Sequence, residues 1–175
     1  QQLRHFVQPE RIIGVELNAT HLTVAERFFG VHGDDVQLVQ GDAVVWLRDY
    51  AGEPFDMIID DLFGEEEGEP VRAVPANRAW VSLLYRRLRA GGVIVSNFAS
   101  RCDLLASAYR QDVATRARSV SAFSLETPQN CNAVGVFLQS AATPRQLRER
   151  LYRNPQLDPR RVAARLNYRI RRLPC

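Results

Sequence analysis

Three carboxylates in this chain each close a short apolar run. The runs are Arg11-Ile12-Ile13-Gly14-Val15-Glu16, Val36-Gln37-Leu38-Val39-Gln40-Gly41-Asp42 and Phe55-Asp56-Met57-Ile58-Ile59-Asp60-Asp61. A carboxylate has two acceptor oxygens, so it can take both hydroxyls of a ribose or an exocyclic amine. Runs of this length, bounded by Pro, Gly and Asp, predict buried strands of a parallel sheet. The carboxyl ends of such strands face the crevice where open α/β sheets take ligands. The pattern therefore points to a nucleotide-type ligand. Each acid also has a plainer structural reading. Glu16 precedes a helix start, where negative charge is favoured, and Asp42 suits a helix N-cap. Asp61 fits a loop acid facing water. Asp60 is harder to explain that way, because adjacent carboxylates after a buried strand are costly unless solvated, paired or used. It could orient an amine or serve as general base.

Other chemistry-bearing residues carry less. His5, His21 and His32 are scattered away from the strand ends and read as surface or satisfied histidines. Ser96-Asn97-Phe98 ends a strand and could line a pocket, though packing explains it equally well. Trp46 and Trp80 fall on apolar helical faces and read as core. Glu65, Glu66 and Glu67 read as a solvated loop, since three consecutive side chains cannot all face one ion; no metal site is expected. All 23 basic residues are arginine, which excludes Schiff-base lysine chemistry and a P-loop lysine. The formal charge of +3 is too small to drive polyanion binding by itself. Arg160, Arg161, Arg165, Arg169, Arg171 and Arg172 could form a basic face toward nucleic acid. Without interleaved aromatics a solvated surface is preferred, so no nucleic-acid partner is expected. Cys102, Cys131 and Cys175 are odd in number and too widely spaced for a zinc motif, which fits a reduced, cytoplasmic setting. No run is long enough to span a membrane.

The elements that must position these residues follow from periodicity and caps. A helix over 1–7 ends before Pro9, and the first strand follows. Asn18 caps a helix through Phe29. A strand covers 36–39 and a short helix 42–50, then Gly52-Glu53-Pro54 turns into the third strand. This βαβα order predicts an α/β fold with a doubly wound, mostly parallel sheet. Residues 62–76 show no apolar period and read as a long loop, a candidate lid. A helix over 77–88 ends at Gly91-Gly92. A strand covers 93–98 and a helix 102–115. Residues 120–125 and 133–138 form an antiparallel hairpin appended to the sheet. Residues 143–173 read as two Arg-rich helices divided by Asn154-Pro155.

Taken in order, Val15-Glu16-Leu17-Asn18, Gly41-Asp42-Ala43, the run ending at Asp60, and Leu88-Arg89-Ala90-Gly91-Gly92-Val93 resemble the class I S-adenosylmethionine-dependent methyltransferases. The details are most similar to the spermidine synthase-like (polyamine aminopropyltransferase) branch, over residues 1–139. The resemblance implies a Rossmann-like domain over 1–142; the Arg-rich helical extension over 143–175 is read from its own pattern and lies outside the resemblance. It implies that Glu16 binds the nucleoside ribose, with Leu17 sharing in cofactor binding, and that Asp42 and Ala43 bind adenine. Asp60 matches the first Asp of the branch's motif and would be the catalytic residue, meeting the amine of cofactor or substrate. The co-substrate would be S-adenosylmethionine or its decarboxylated form, with no metal.

Two departures qualify the resemblance. The family's first strand and Gly-rich loop would lie before Gln1, so an upstream segment is expected. Phe63 stands where the branch carries a second, catalytic Asp, and an apolar ring cannot deprotonate an attacking amine. The expected function is transfer of an aminopropyl or methyl group to a small amine-type acceptor, in a protein that could form a homodimer. The alternative is a non-catalytic relative serving as a binding or dimerisation module.

Overall fold

In the computed structural model, which describes residues 2–115, 118–161 and 167–174, all three apolar runs are strands. The chain divides into two compact units, Gln1–Gly52 and Glu53–Cys175.

The first unit runs α1 (Gln2–Phe6), β1 (Ile12–Glu16), α2 (Ala19–Phe29), β2 (Val36–Gln40) and α3 (Ala43–Asp49). β1 and β2 are parallel, in register from Ile12 opposite Val36 to Glu16 opposite Gln40. The Asn18 side chain accepts from the Thr20 N–H at 2.9 Å and starts α2 as its N-cap. Gly30 ends it with φ 60°, the left-handed C-terminal turn that glycine adopts without a Cβ clash. The bidentate pair of Arg4 with Asp35 ties α1 to the residue leading into β2.

The second unit holds a five-stranded sheet. Its strands are β3 (Phe55–Asp60), β6 (Leu88–Phe98), β7 (Ser121–Glu126), β8 (Ala133–Leu138) and β9 (Arg169–Arg172), in spatial order β3-β6-β8-β7-β9. β3 and β6 are parallel, and β8, β7 and β9 add antiparallel. This is the expected α/β fold with its appended hairpin. The core collects around Tyr109 of α6 (Ala108–Thr115), whose ring stacks on Phe137 at 4.0 Å between centroids. Phe98 meets the same ring edge-on.

Three local expectations are corrected. Residues 62–76 are not a featureless loop: β4 (Phe63–Glu66) and β5 (Glu69–Arg72) form an antiparallel hairpin. Its turn places Glu67 at φ 53° and Gly68 at φ 84°, both left-handed as a tight hairpin turn demands. The helix over 77–88 is α4 (Arg78–Arg87), which ends before Gly91-Gly92 because the chain turns at Leu88 straight into β6. The helix over 102–115 is two, α5 (Arg101–Ala106) and α6, parted where Ser107 leaves helical geometry.

The Arg-rich end is also corrected. α7 (Pro144–Leu151) is the helix expected there, with a Thr143–Gln146 capping box. Residues 169–172, expected to be helical, are instead strand β9. The cause is alternation: Ile170 is buried while its arginine neighbours face solvent, a pattern suited to a charged edge strand. Of the anticipated basic face, Arg160 and Arg161 pair with Asp158, and Arg165 lies outside the described residues.

Candidate functional site

The first unit brings Glu16, Leu17, Asp42 and Ala43 to one edge, the carboxyl ends of β1 and β2. The Gly41 N–H donates to the Glu16 carbonyl at 3.0 Å and locks the two strand ends together. The Glu16 carboxylate accepts from the Asn18 N–H at 2.8 Å and lies 3.3 Å from Nδ1 of His21. Its side chain is 38% exposed, so it is oriented yet open to a ligand. Asp42 is exposed and caps α3: one oxygen accepts from the N–H groups of Val44 and Val45 at 2.8 and 3.0 Å. The capping reading of Asp42 is thus realised, and it uses Oδ1 alone. Leu17 is 71% exposed, an apolar side chain standing free at the same edge.

The second unit places Asp60 at the carboxyl end of β3, with its side chain fully buried. One oxygen, Oδ2, gathers three donors: the Arg72 guanidinium, Trp80 Nε1 at 3.2 Å and Ser96 Oγ at 2.8 Å. Oδ1 is buried with no hydrogen-bond partner among the described residues. Arg72 also donates to the Asn97 carbonyl at 2.6 Å and lies over the Phe98 ring, 5.1 Å from its centroid. A charge removed from water needs such a partner. Asp61 instead is exposed, the expected loop acid facing water, and accepts from Nδ2 of Asn97 at 2.9 Å. Phe63 sits opposite Arg72 in the β4–β5 ladder. Beneath them, burial first and the Asp60 charge second push the Tyr109 hydroxyl well above its ordinary pKa.

Sequence reasoning missed three of these neighbours. His21 is distant from the strand ends in the sequence pattern, yet the first turn of α2 returns it to Glu16. Trp80 was read as core, and is, but its N–H serves Asp60. Arg72 carried no signal, lying in a stretch with no apolar period. Among the described residues no group of three His, Cys, Asp or Glu is placed to hold a metal. No described helix is long and apolar enough to cross a membrane.

The sequence matches no protein-family model and no curated protein. Solved structures do resemble the chain in fold. Human methyltransferase-like protein 13 in complex with SAH is 21% identical, with TM-score 0.64 over 87% of this chain and 76% of that one. A probable spermidine synthase from Corynebacterium glutamicum is 16% identical, with TM-score 0.66 over 93% of this chain and 58% of that one. A spermidine synthase in complex with the transition state analogue AdoDATO is 13% identical, with TM-score 0.59 over 86% of this chain and 54% of that one. The chain has the fold of these methyltransferases and spermidine synthases. It spans little more than half the length of the two spermidine synthases. At such identities the likeness is one of fold, and function has to be argued from the residues.

Proposed function

We propose that this chain binds an S-adenosylmethionine-type nucleoside, decarboxylated or not, and passes its methyl or aminopropyl group to a small amine-type acceptor. The observation that carries the reading is the pair Glu16 and Asp42, two accessible acids at the carboxyl ends of adjacent parallel strands. Support comes from the shared fold, whose solved examples include one in complex with SAH and one with AdoDATO. Glu16 accepts the two ribose hydroxyls, while Asn18 and His21 hold its carboxylate in place. Asp42 keeps Oδ1 on its helix and offers Oδ2 to the adenine amine, with the Ala43 backbone beside it. Leu17 gives the base an apolar surface.

The bound sulfonium supplies the electrophile: an acceptor lone pair forms the new bond to carbon, the carbon–sulfur pair leaves on sulfur, and the acceptor's proton passes to solvent. A thioether leaves without protonation, so the chain's task is positioning. Asp60 fits that task. Fully buried, it acts without touching the acceptor: its Oδ2 holds Arg72 and the end of β3 in place. Phe63, standing opposite Arg72, favours a second reading in which the nucleoside is bound and no group is transferred.

Calorimetric titration with S-adenosylmethionine, its decarboxylated form and methylthioadenosine tests the proposal. Glu16→Gln should weaken nucleoside affinity roughly ten- to hundredfold, the worth of hydrogen bonds to a charged group. Asp42→Asn keeps the helix cap and should still weaken adenine binding. Unchanged affinity in Glu16→Gln discards the assignment. Mass spectrometry of amine acceptors then separates transfer from binding alone.

A further inference from the structure

We infer that a cavity in the Glu53–Cys175 unit is a ligand site that takes an uncharged aromatic molecule of one or two rings bearing a single hydroxyl or amino group. The cavity measures about 250 Å³ and lies between the β7–β8 turn, the end of α7 and the segment entering β9. A closed cavity of about 150 Å³ accommodates benzene; this one is larger and half-open to solvent, with room for one or two rings.

The walls are Leu125, Val134, Leu151, Leu157 and the Tyr168 ring. Tyr168 donates its hydroxyl to the Leu157 carbonyl at 2.7 Å, which fixes the ring as a flat apolar face. Glu126 also lines the cavity, but its charge is already answered. The Ser124 hydroxyl and then Arg101 hold its carboxyl below the ordinary range, against the opposing effect of burial. An ion-paired carboxylate does not call for a cationic ligand. Thr127 Oγ1 is different: it is buried, lines the cavity and has no hydrogen-bond partner among the described residues. A buried hydroxyl left unpaired costs free energy that one polar head group would recover. Asn130 and Asn132 complete the lining, and Asn132 already gives its amide to Asn97, so the apolar walls and the one buried open hydroxyl select an uncharged body with one polar group.

The cavity lies at one strand-end edge of its own sheet. β8 begins at Ala133 opposite Phe98, so the β7–β8 turn lies at the carboxyl end of β6, the edge that carries Asp60 and Asp61. Asn132, a cavity residue, donates to Oδ1 of Asn97 at 3.0 Å, and Asn97 donates to Asp61 at 2.9 Å. Two amide steps therefore join cavity and strand end.

Titration of the chain with 2-naphthol and with naphthalene, without nucleoside, tests the ligand class. 2-Naphthol should bind, and Leu157→Trp and Val134→Phe, which fill the space, should each weaken it at least tenfold. Thr127→Val should weaken 2-naphthol severalfold and leave naphthalene unchanged. No binding, or binding indifferent to both filling variants while circular dichroism shows them folded, overturns the inference. Naphthol binding in a chain that gives no heat with any nucleoside supports the cavity assignment and removes the nucleoside reading. Nucleoside binding without naphthol binding leaves that reading standing and overturns the cavity assignment.

Discussion

Asp60 and Arg72 form the one pair in which a residue's chemistry and the unit's stability meet. Asp60 is fully buried and Arg72 is 12% exposed, so each depends on the other for charge compensation. Arg72→Met would leave a buried carboxylate with only the Trp80 and Ser96 donors. Removing one member of a buried pair costs about 3–5 kcal/mol, and urea denaturation should show a loss of that order. Asp60→Asn combined with Arg72→Met should lose less than the sum of the single changes, since neither leaves the other stranded. A sum that is strictly additive would mean the two side chains act independently. The acid itself was legible in the sequence because a carboxylate ending an apolar run is conspicuous. Its partner was not, because ion pairing depends on where a distant segment folds back.

At the scale of elements, the β4–β5 hairpin shows what the sequence conceals. Its strands hold Pro70, Gly64 and three glutamates, so nothing alternates, and its turn is Glu67-Gly68 rather than the usual Asn-Gly. Edge strands tolerate such composition, since Pro needs only one unpaired N–H side. Register and Arg72 anchor the hairpin, with the Ala73 N–H to Leu62 carbonyl bond at 2.9 Å closing its base. That base holds it as a folded arm rather than the loose lid its composition suggested. Glu67 stands at φ 53°, where a side chain costs about 1–2 kcal/mol that glycine avoids. Glu67→Gly should therefore raise the melting temperature by about one or two degrees after glycine's added chain entropy is subtracted. Glu67→Val should lower it, because a branched Cβ worsens the same clash. Equal melting temperatures for the two variants would show that the turn relaxes freely. By contrast, β1, β2, β3, α2 and α3 were legible because their caps and apolar periods agree. β9 was missed because four residues are too few to reveal a period among so many arginines.

For the molecule as a whole, the distribution of buried apolar side chains matters more than their number. Among the described residues, Leu47 is the single buried apolar side chain of Gln1–Gly52. The Glu53–Cys175 unit holds the others, including Val81, Leu84, Ile94, Phe98, Phe123 and Phe137. Meanwhile Leu17, Phe28 and Phe29 of the first unit are 71%, 78% and 60% exposed. Local opening is resisted chiefly by buried apolar contact, so regions without it exchange their amides sooner. The β6 ladder, flanked by β3 and β8 and centred on fully buried Ile94, should give the slowest exchange in the chain. β1 and β2, paired only with each other among the described strands, should exchange orders of magnitude faster. Hydrogen–deuterium exchange followed by peptide mass spectrometry reads this directly. If Glu16 and Asp42 hold a nucleoside, adding S-adenosylmethionine should slow exchange at the ends of β1 and β2, because ligand binding stabilises the closed state by mass action. Uniform exchange across both units in the free chain would contradict the burial argument. Protection confined to β6 on adding nucleoside would move the binding site away from Glu16.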